Sequence, residues 1–588
     1  MTAEQKEINF FDLKVMGHPA GLFVLFFTEM WERFSYYGMR ALLVLFLTTS
    51  LIGDNPGWGW PREHALAIYG SYTSLVYLTP ILGGYIADRI IGHRWAVLLG
   101  ALIMTLGHAS MALEFDPIFM YIGLGCLVVG NGFFKPNMNS VLSELYKKYP
   151  EKKDGAYTIF YMGVNSGSFL GMLLCGYIGE SPDWGWSYGF GLAGIFMFIG
   201  MLQFYFTQGI FGKIGLKPIK DAQEVQENED PREAKRNPFS KLDLLLIAFI
   251  SIVSVVWVIN DPVSKISSFN VFNFEVAGIA GENFAILLAF AIFIFIIVKR
   301  VSQYTPILRD KIIAVIILAF ISIFFWACFE QAGGSMAIFA KDYTLRSLDG
   351  SSKLVFNIAN TLITLIPLSV ISYVLFSLFN KTFKYFAIGN VILSSAFVII
   401  WGLALYMLYN QFQETKSEVP ASWFNMFNSL FIITLSPLFS KIWESKYNPL
   451  ATYKSGIGMI LLGIGFAALA LGADGIPQGA KTASVSMIWL IVAYLFHTMG
   501  EICISPAGLS YVSKLVPARM IAIMFGIWYL GTSIGNKIAG TAGGMIDKVT
   551  EQYSMTTFFL IFTLVPMALG LFMIMLTPLM KKLMHGVR

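Results

Sequence analysis

The sequence predicts an all-α integral membrane protein, on two compositional observations and one pattern. Of the 588 residues, 56% are hydrophobic and only 13% are charged, against roughly 25% charged in soluble domains. Mean hydropathy is +0.65. Apolar runs long enough to cross a bilayer, about 20 residues each, recur along the whole chain. So little charge cannot coat a soluble protein of this size. That excludes a soluble enzyme, a disordered protein and a secreted disulfide scaffold. A net charge of +5, from 41 basic and 36 acidic residues, is too small for a nucleic-acid binder.

The segments follow in order. Met1 to Gly17 is polar and has no short apolar h-region, so no cleaved signal peptide is expected. The run 20–50 carries Glu29, Glu32, Arg33 and Arg40; 64–87 carries Tyr69, Thr73 and Tyr77 at helical spacing. Runs at 95–113, 118–143, 156–179 and 187–208 complete a first group of six. Gly212 to Leu242 is densely charged, from Lys220 to Arg236, and reads as a cytoplasmic linker. Two runs follow at 244–260 and 283–298, the second the shortest of all. Then come 312–340, the uncharged pair 354–378 and 385–409, and finally 423–442, 455–473, 485–512, 520–546 and 556–579. Sixteen helices are expected, the longer ones tilted or projecting past the lipid. Cys126, Cys175, Cys328 and Cys503 each lie in an apolar run without metal-ligand or C-x-x-C spacing, and read as small core residues.

Lys and Arg set the orientation. With the N-terminus inside, the inner segments hold 29 of the 41 basic residues, the outer segments 8 and the membrane 4. Both termini are then expected on the cytoplasmic side.

The ionisable residues deep in the runs point to function. They are Glu29, Glu32, Glu330 and Glu501 against Arg33, Arg40, Lys135 and Lys537. Each costs about 2.5–3.5 kcal/mol at a helix centre, so they must pair or line a wet cavity. Static pinning of helices by ion pairs is the plainer alternative, but a buried pair is a poor stabiliser next to an apolar substitute. Glu29, Glu32, Arg33, Tyr36, Tyr37 and Arg40 form one continuous stripe of a single helix, with Leu, Phe, Met and Val opposite. Asn131, Lys135 and Asn139 share a face of another helix; so do Trp326, Glu330 and Gly334, and His497, Glu501 and Ser505. Clustered cations, anions, amides and aromatics suit a small zwitterion, its carboxylate on Arg and Lys and its ammonium on Glu. Burial in a low-dielectric medium favours the neutral form of a carboxylate, so such a lining also suits proton coupling. Nothing resembles H-E-x-x-H, G-x-S-x-G or an Asp-rich metal box, so no catalytic or metal site is expected.

The stretch Glu29 to Gly38, EMWERFSYYG, resembles the E-x-x-E-R-F-x-Y-Y-G motif of the proton-dependent oligopeptide transporter (POT/PTR) family of the major facilitator superfamily. GYIADRIIGHR from Gly84 to Arg94, with Asp88 and Arg89, is similar to the superfamily's loop motif after helix 2. GNGFFKPN (130–137), FYMGVNSGS (160–168), FWACFEQ (325–331), GEICISPAGLS (500–510) and the segment 528–536 resemble family motifs in family order.

The resemblance implies two six-helix bundles, 1–210 and 311–588, joined by a linker with two extra helices at 211–310. It implies a symporter of di- and tripeptides with protons, working by alternating access in the cell's inner membrane. No cofactor is implied, since the proton gradient drives it. The partners are small peptides, protons and the lipid bilayer, with monomer or homo-oligomer left open.

Arg33, Arg40 and Lys135 would hold the peptide carboxylate; Glu501, Asn165 and Asn428 would hold its ammonium. Tyr36, Tyr37, Tyr77, Trp326, Trp528 and Tyr529 would line side-chain pockets, and Ser505 would also bind substrate. Glu330 would be a proton site, with Glu29, Glu32 and Arg33 as a coupled network. Lys135 and Glu501 would form a salt bridge between bundles, and Asp88 and Arg89 would act in gating.

Three features depart from the family pattern. Gly70 stands where animal members carry a histidine. Lys537 sits in a Gly-Asn-Lys stretch with no partner assignable from sequence. The uncharged pair at about 350–410, between helices 7 and 8, is expected to pack peripherally or to serve an interface. The same fold could carry nitrate, an organic anion or a peptidomimetic drug, and a non-transporting peptide sensor is a further alternative.

Overall fold

The computed structural model describes residues 13–587 apart from 148, 150–151, 217–236, 268 and 446–448; at 154, 444, 506–510, 513, 518–519 and 521–522 it describes the backbone alone. The charged core of the expected linker, Lys220 to Arg236, therefore lies outside the described residues.

Long helices coincide with all sixteen apolar runs. They are α1 (Ala20–Thr48), α2 (Arg62–Ile86), α3 (His93–Met111), α4 (Pro117–Leu145), α5 (Lys153–Glu180) and α6 (Trp186–Thr207). Then follow α7 (Lys241–Ile266), α8 (Gly281–Val301), α9 (Pro306–Phe329), the short α10 (Ser335–Asp342), α11 (Gly350–Thr382) and α12 (Ala387–Gln413). The chain closes with α13 (Met426–Glu444), α14 (Ala451–Gly472), α15 (Ile488–Leu515), α16 (Ala518–Gly544), α17 (Ile546–Gln552), α18 (Met555–Met575) and α19 (Thr577–Leu583). Among the described residues, fourteen helical segments are long and apolar enough to cross a membrane. The other two long helices, α1 and α16, carry the polar stripe of Glu29 to Arg40 and the Asn536–Lys537 pair.

Local sequence fixes several ends. Asp116 caps α4 by accepting from the Ile118 amide at 2.8 Å, with Pro117 at the first helical position. A reciprocal capping box opens α7: the Asp243 amide donates to the Ser240 hydroxyl at 3.1 Å, and the Ser240 amide donates to the Asp243 carboxylate at 3.0 Å.

One expectation needs correction. The run 312–340 is not one continuous helix. It breaks at Glu330–Gly333, a single 3-10 turn between α9 and α10. Gly334, at φ −112° and ψ −108°, takes a backbone conformation outside the helical region. The Gln331 amide donates to the Ala327 and Ala539 carbonyls at 3.1 and 2.9 Å, and the Ser335 hydroxyl donates to the Gln331 side chain at 2.6 Å. These side chains occupy groups that the break leaves open. Trp326, Glu330 and Gly334 therefore do not share an unbroken helical face.

The described residues fall into two compact units. One comprises Met1–Trp58, Thr79–Ala222 and Thr344–Ile433. In it, α1 packs on α5 and α6, and α3 on α4 and α6. Lipid tails are as apolar as the helices, so close backbone approach drives this packing. Gly163, Gly167 and Gly171 recur at every fourth position of α5, and a Cβ at any of them would strike the Phe26, Met30 or Phe34 backbone of α1. The added pair α11–α12 belongs to this unit and packs on α6 and α1. The other unit comprises Gly59–Leu78, Gln223–Tyr343 and Thr434–Arg588. There α14 packs on α15 and α18, and α9 on α16.

Candidate substrate and proton site

In the first unit, the stripe on α1 is realised as a paired network. Arg33 donates to Glu32 through two nitrogens, Nε to Oε2 and Nη2 to Oε1, the latter at 2.6 Å. Its Nε also lies 3.5 Å from Glu29 Oε1. Asn131 of α4 donates to Glu32 Oε1 at 3.2 Å. Lys135, one turn further along α4 and half-buried, acts electrostatically on Glu29. The Arg33 guanidinium lies over the rings of Tyr36 (4.9 Å) and Tyr37 (5.7 Å), and Arg40 lies over Tyr37 at 5.6 Å. Glu29, Glu32, Arg33 and Tyr36 are buried, while Tyr37 and Arg40 are half-buried. Two acids around one arginine form a set whose net charge changes with a single proton.

Asn165 is buried on α5 and donates to the Tyr161 carbonyl at 2.9 Å. Three residues on, the Ser168 hydroxyl meets Ser429 of α13 at 2.8 Å, next to half-buried Asn428. The start of this segment is tied to α5 as well. The Glu180 carboxylate accepts from the Ala421 and Ser422 amides at 2.7 and 2.8 Å, and the Trp423 indole donates to the Leu173 carbonyl at 2.9 Å.

Asp88 and Arg89 lie in a π-helical turn that ends α2, closed by Gly92 at φ 82°. Asp88 is exposed, 3.5 Å from His93 Nε2, and the Arg89 guanidinium sits 4.7 Å over the Tyr85 ring. Sequence reasoning missed the neighbours that fix this loop. The His93 ring lies 2.8 Å from the Asn137 amide oxygen and 3.7 Å from Glu144. Arg94 donates to the Ile214 carbonyl at 2.5 Å and to that of Gly212, and Glu144 accepts from the Gly215 amide at 3.0 Å.

In the second unit, Glu330 is 2% exposed and accepts from the Tyr69 hydroxyl at 3.0 Å. The break between α9 and α10 puts it at a helix end, where the backbone is irregular. Trp326 lies against Gly535 of α16. The rings of Tyr77 and Tyr529 are 6.4 Å apart, and Trp528 is buried beside Tyr529. Glu501 and Ser505 are half-buried on α15; the side chains of 506–510, the rest of that motif, lie outside the described residues. His497 is fully buried with its ring 4.4 Å from that of Phe466, and packs as an aromatic. His108, in the first unit, is buried on α3 against Gly194.

Two charge clusters of this unit were not anticipated. Arg62, at the start of α2, donates to Asp342 (2.6 Å), Asp547 (2.8 Å) and the Tyr343 hydroxyl (3.0 Å). Lys481 joins them, 3.5 Å from Asp547 and 2.7 Å from Glu551; the hydrogen bond to Glu551 raises its pKa above the ordinary lysine value. Lys537 is ion-paired to Asp261 of α7. A basic residue just ahead of a run gives no periodic signal, and Asp261 lies just past the apolar run that marks α7.

The profile of the POT family matches residues 94–226 and 403–560. An uncharacterized transporter, YclF of Bacillus subtilis, is 30% identical over 97% of this chain and 96% of its own. A peptide transporter of Yersinia enterocolitica, YePEPT, is 30% identical over 90% of this chain and 88% of its own. A crystal structure of a peptide transporter POT in complex with sulfate superposes with a TM-score of 0.69 at 28% identity, covering 97% of both chains. The fold is that of the major facilitator superfamily, with two six-helix bundles, the linker pair α7–α8 and the added pair α11–α12. On this likeness along nearly its whole length, and with its motifs in family order, the chain belongs to the POT family.

Proposed function

We propose that the protein is a proton-coupled symporter that imports di- and tripeptides by alternating access. The observation that carries this reading is the buried Glu29–Glu32–Arg33 cluster facing Asn131 and Lys135. Intramembrane ionisable groups on a shared polar face mark substrate and proton routes. The relatives named as peptide transporters support the cargo.

Arg33, Arg40 and Lys135 hold the peptide carboxylate, and Glu501, Asn165 and Asn428 its ammonium. Tyr36, Tyr37, Tyr77, Trp326, Trp528 and Tyr529 line the side-chain pockets, and Ser505 also binds substrate. Both termini are cytoplasmic. The moving bodies are the bundles 1–210 and 311–588, rocking about a midplane site.

A proton on Glu330 breaks the charge-assisted bond from Tyr69, and a proton in the Glu29–Glu32 pair frees Arg33 for the peptide carboxylate. Lys135 and Glu501 pair across the bundles when no peptide is bound, and peptide ends compete for both. Asp88 and Arg89 gate the cytoplasmic side, and Arg62 with Asp342 and Asp547 gates the outer side. A membrane potential of about 100 mV supplies about 2.3 kcal/mol per proton, enough to concentrate a neutral dipeptide about 50-fold.

The test is uptake of a labelled dipeptide into proteoliposomes with and without an imposed pH gradient. Accumulation that requires the gradient supports the reading, and equal uptake in both conditions overturns it. Replacing the dipeptide by nitrate or an organic anion tests the other cargoes.

A further inference from the structure

Lys537 is a buried cation that the transport cycle above does not use. It lies on α16, with its side chain 4% exposed. Three elements of the second unit converge on it. Its Nζ donates to the Ser71 hydroxyl of α2 at 2.9 Å, pairs with Asp261 of α7, and lies 5.7 Å from the Trp257 ring centroid. The Ser71 hydroxyl in turn donates to the Val258 carbonyl of α7 at 2.7 Å. Lys265 reaches the other oxygen of Asp261 at 3.0 Å and Glu63 of α2 at 3.7 Å, and Glu282 of α8 acts on Lys537 electrostatically.

The seam beside this cluster is built for close contact. Gly70 and Gly540 meet backbone to backbone, so a Cβ on either would clash. The hydroxyls of Ser74 and Ser533 are 2.8 Å apart, and Asn536 donates to the Thr73 carbonyl at 3.1 Å. Polar contacts between small residues hold membrane helices together but leave them separable. The ion pair adds a contact of another kind, because a lysine left unpaired in the bilayer is costly.

We infer that Asp261 is a positioning residue that holds Lys537 against Ser71, so that the linker pair α7–α8 latches α2 to α16. The linker is then a part of the moving seam rather than a tether between bundles. The inference deepens the reading above, since it takes from it that α2 and α16 separate during the cycle.

The test is disulfide formation between Ser74→Cys and Ser533→Cys in membranes, with Cys126, Cys175, Cys328 and Cys503 changed to alanine. The two hydroxyls are 2.8 Å apart, so thiols in their place lie within contact of each other. With the pair intact, crosslinking goes to completion under mild oxidant. Asp261→Asn and Lys537→Met each slow it at least fivefold, and the exchange Asp261→Lys with Lys537→Asp brings it back to within twofold. Asp261→Glu, which keeps the charge, crosslinks at the parent rate. Parent-rate crosslinking in Asp261→Asn overturns the latch. So does an exchange variant that reaches the membrane at parent yield but stays slow. Crosslinking needs neither peptide nor gradient. A parent protein that fails to concentrate dipeptide therefore sinks the cargo reading and leaves the latch standing, whereas normal transport with parent-rate crosslinking in Asp261→Asn sinks the latch alone.

Discussion

The ring of Phe397 sits in the notch between Phe27 and Trp31, edge-on to both, with centroids 5.7 and 5.6 Å away. Phe397 belongs to α12 of the added pair, and Trp31 stands between Glu29 and Glu32 in the sequence of α1, turned to the opposite face. Trp31 is also stacked on Phe196 of α6 at 5.2 Å. The added pair therefore backs the charged stripe from behind. Removing the ring leaves a cavity, and Phe397→Ala is expected to cost about 3–5 kcal/mol, lowering the melting temperature in detergent. Its neighbour Val398 is 72% exposed, and Val398→Ala is expected to stay within about 0.5 kcal/mol of the parent. Equal melting of the two variants would show that the added pair does not brace α1.

Glu330→Gln keeps the shape of the side chain and removes its titration. Proton-driven accumulation is expected to vanish while peptide counterflow survives. If the variant still concentrates peptide under a pH gradient, Glu330 is not the proton site.

The Tyr69 hydroxyl donates to the Glu330 carboxylate at 3.0 Å. A hydrogen bond to a charged group is worth about 1.5–3 kcal/mol. Tyr69→Phe removes it, and gradient-driven uptake is expected to fall severalfold with the protein still monodisperse on gel filtration. Parent-level uptake, measured as initial rate under an imposed pH gradient, would separate Tyr69 from coupling.

Arg33 meets Glu32 through two nitrogens and keeps a third contact with Glu29. A lysine is a point charge and cannot reproduce that fork. Arg33→Lys is expected to lower gradient-driven uptake at least tenfold with the protein still folded, as judged by monodispersity on gel filtration. Parent-level uptake would reduce the cluster to a static pin.

Arg62 holds two aspartates, Asp342 and Asp547, on separate helices. Arg62→Met leaves both without it, and the outer gate is expected to open more often. Labelling of a cysteine placed at Ser74 by an impermeant maleimide from outside should rise severalfold, and unchanged labelling counts against the gate.

Much of this was legible in the sequence because it is local. A stripe at i, i+3, i+4, i+7, i+8 and i+11 depends only on helical geometry, so Glu29, Glu32, Arg33, Tyr36, Tyr37 and Arg40 could be placed on one face before any packing was known. The sixteen apolar runs were equally legible, because bilayer thickness sets their length. The break at Glu330 was hidden, since the residues around it are as apolar as a helix and the stop comes from Gly334 and the bonds of Gln331. Only the tertiary structure decided that the chain from Thr344 to Ile433, expected within the second bundle, packs with α1, α5 and α6, and that Asp261 is the partner of Lys537. Both are contacts between residues far apart in the sequence, and no periodicity along a single helix encodes which neighbour it meets.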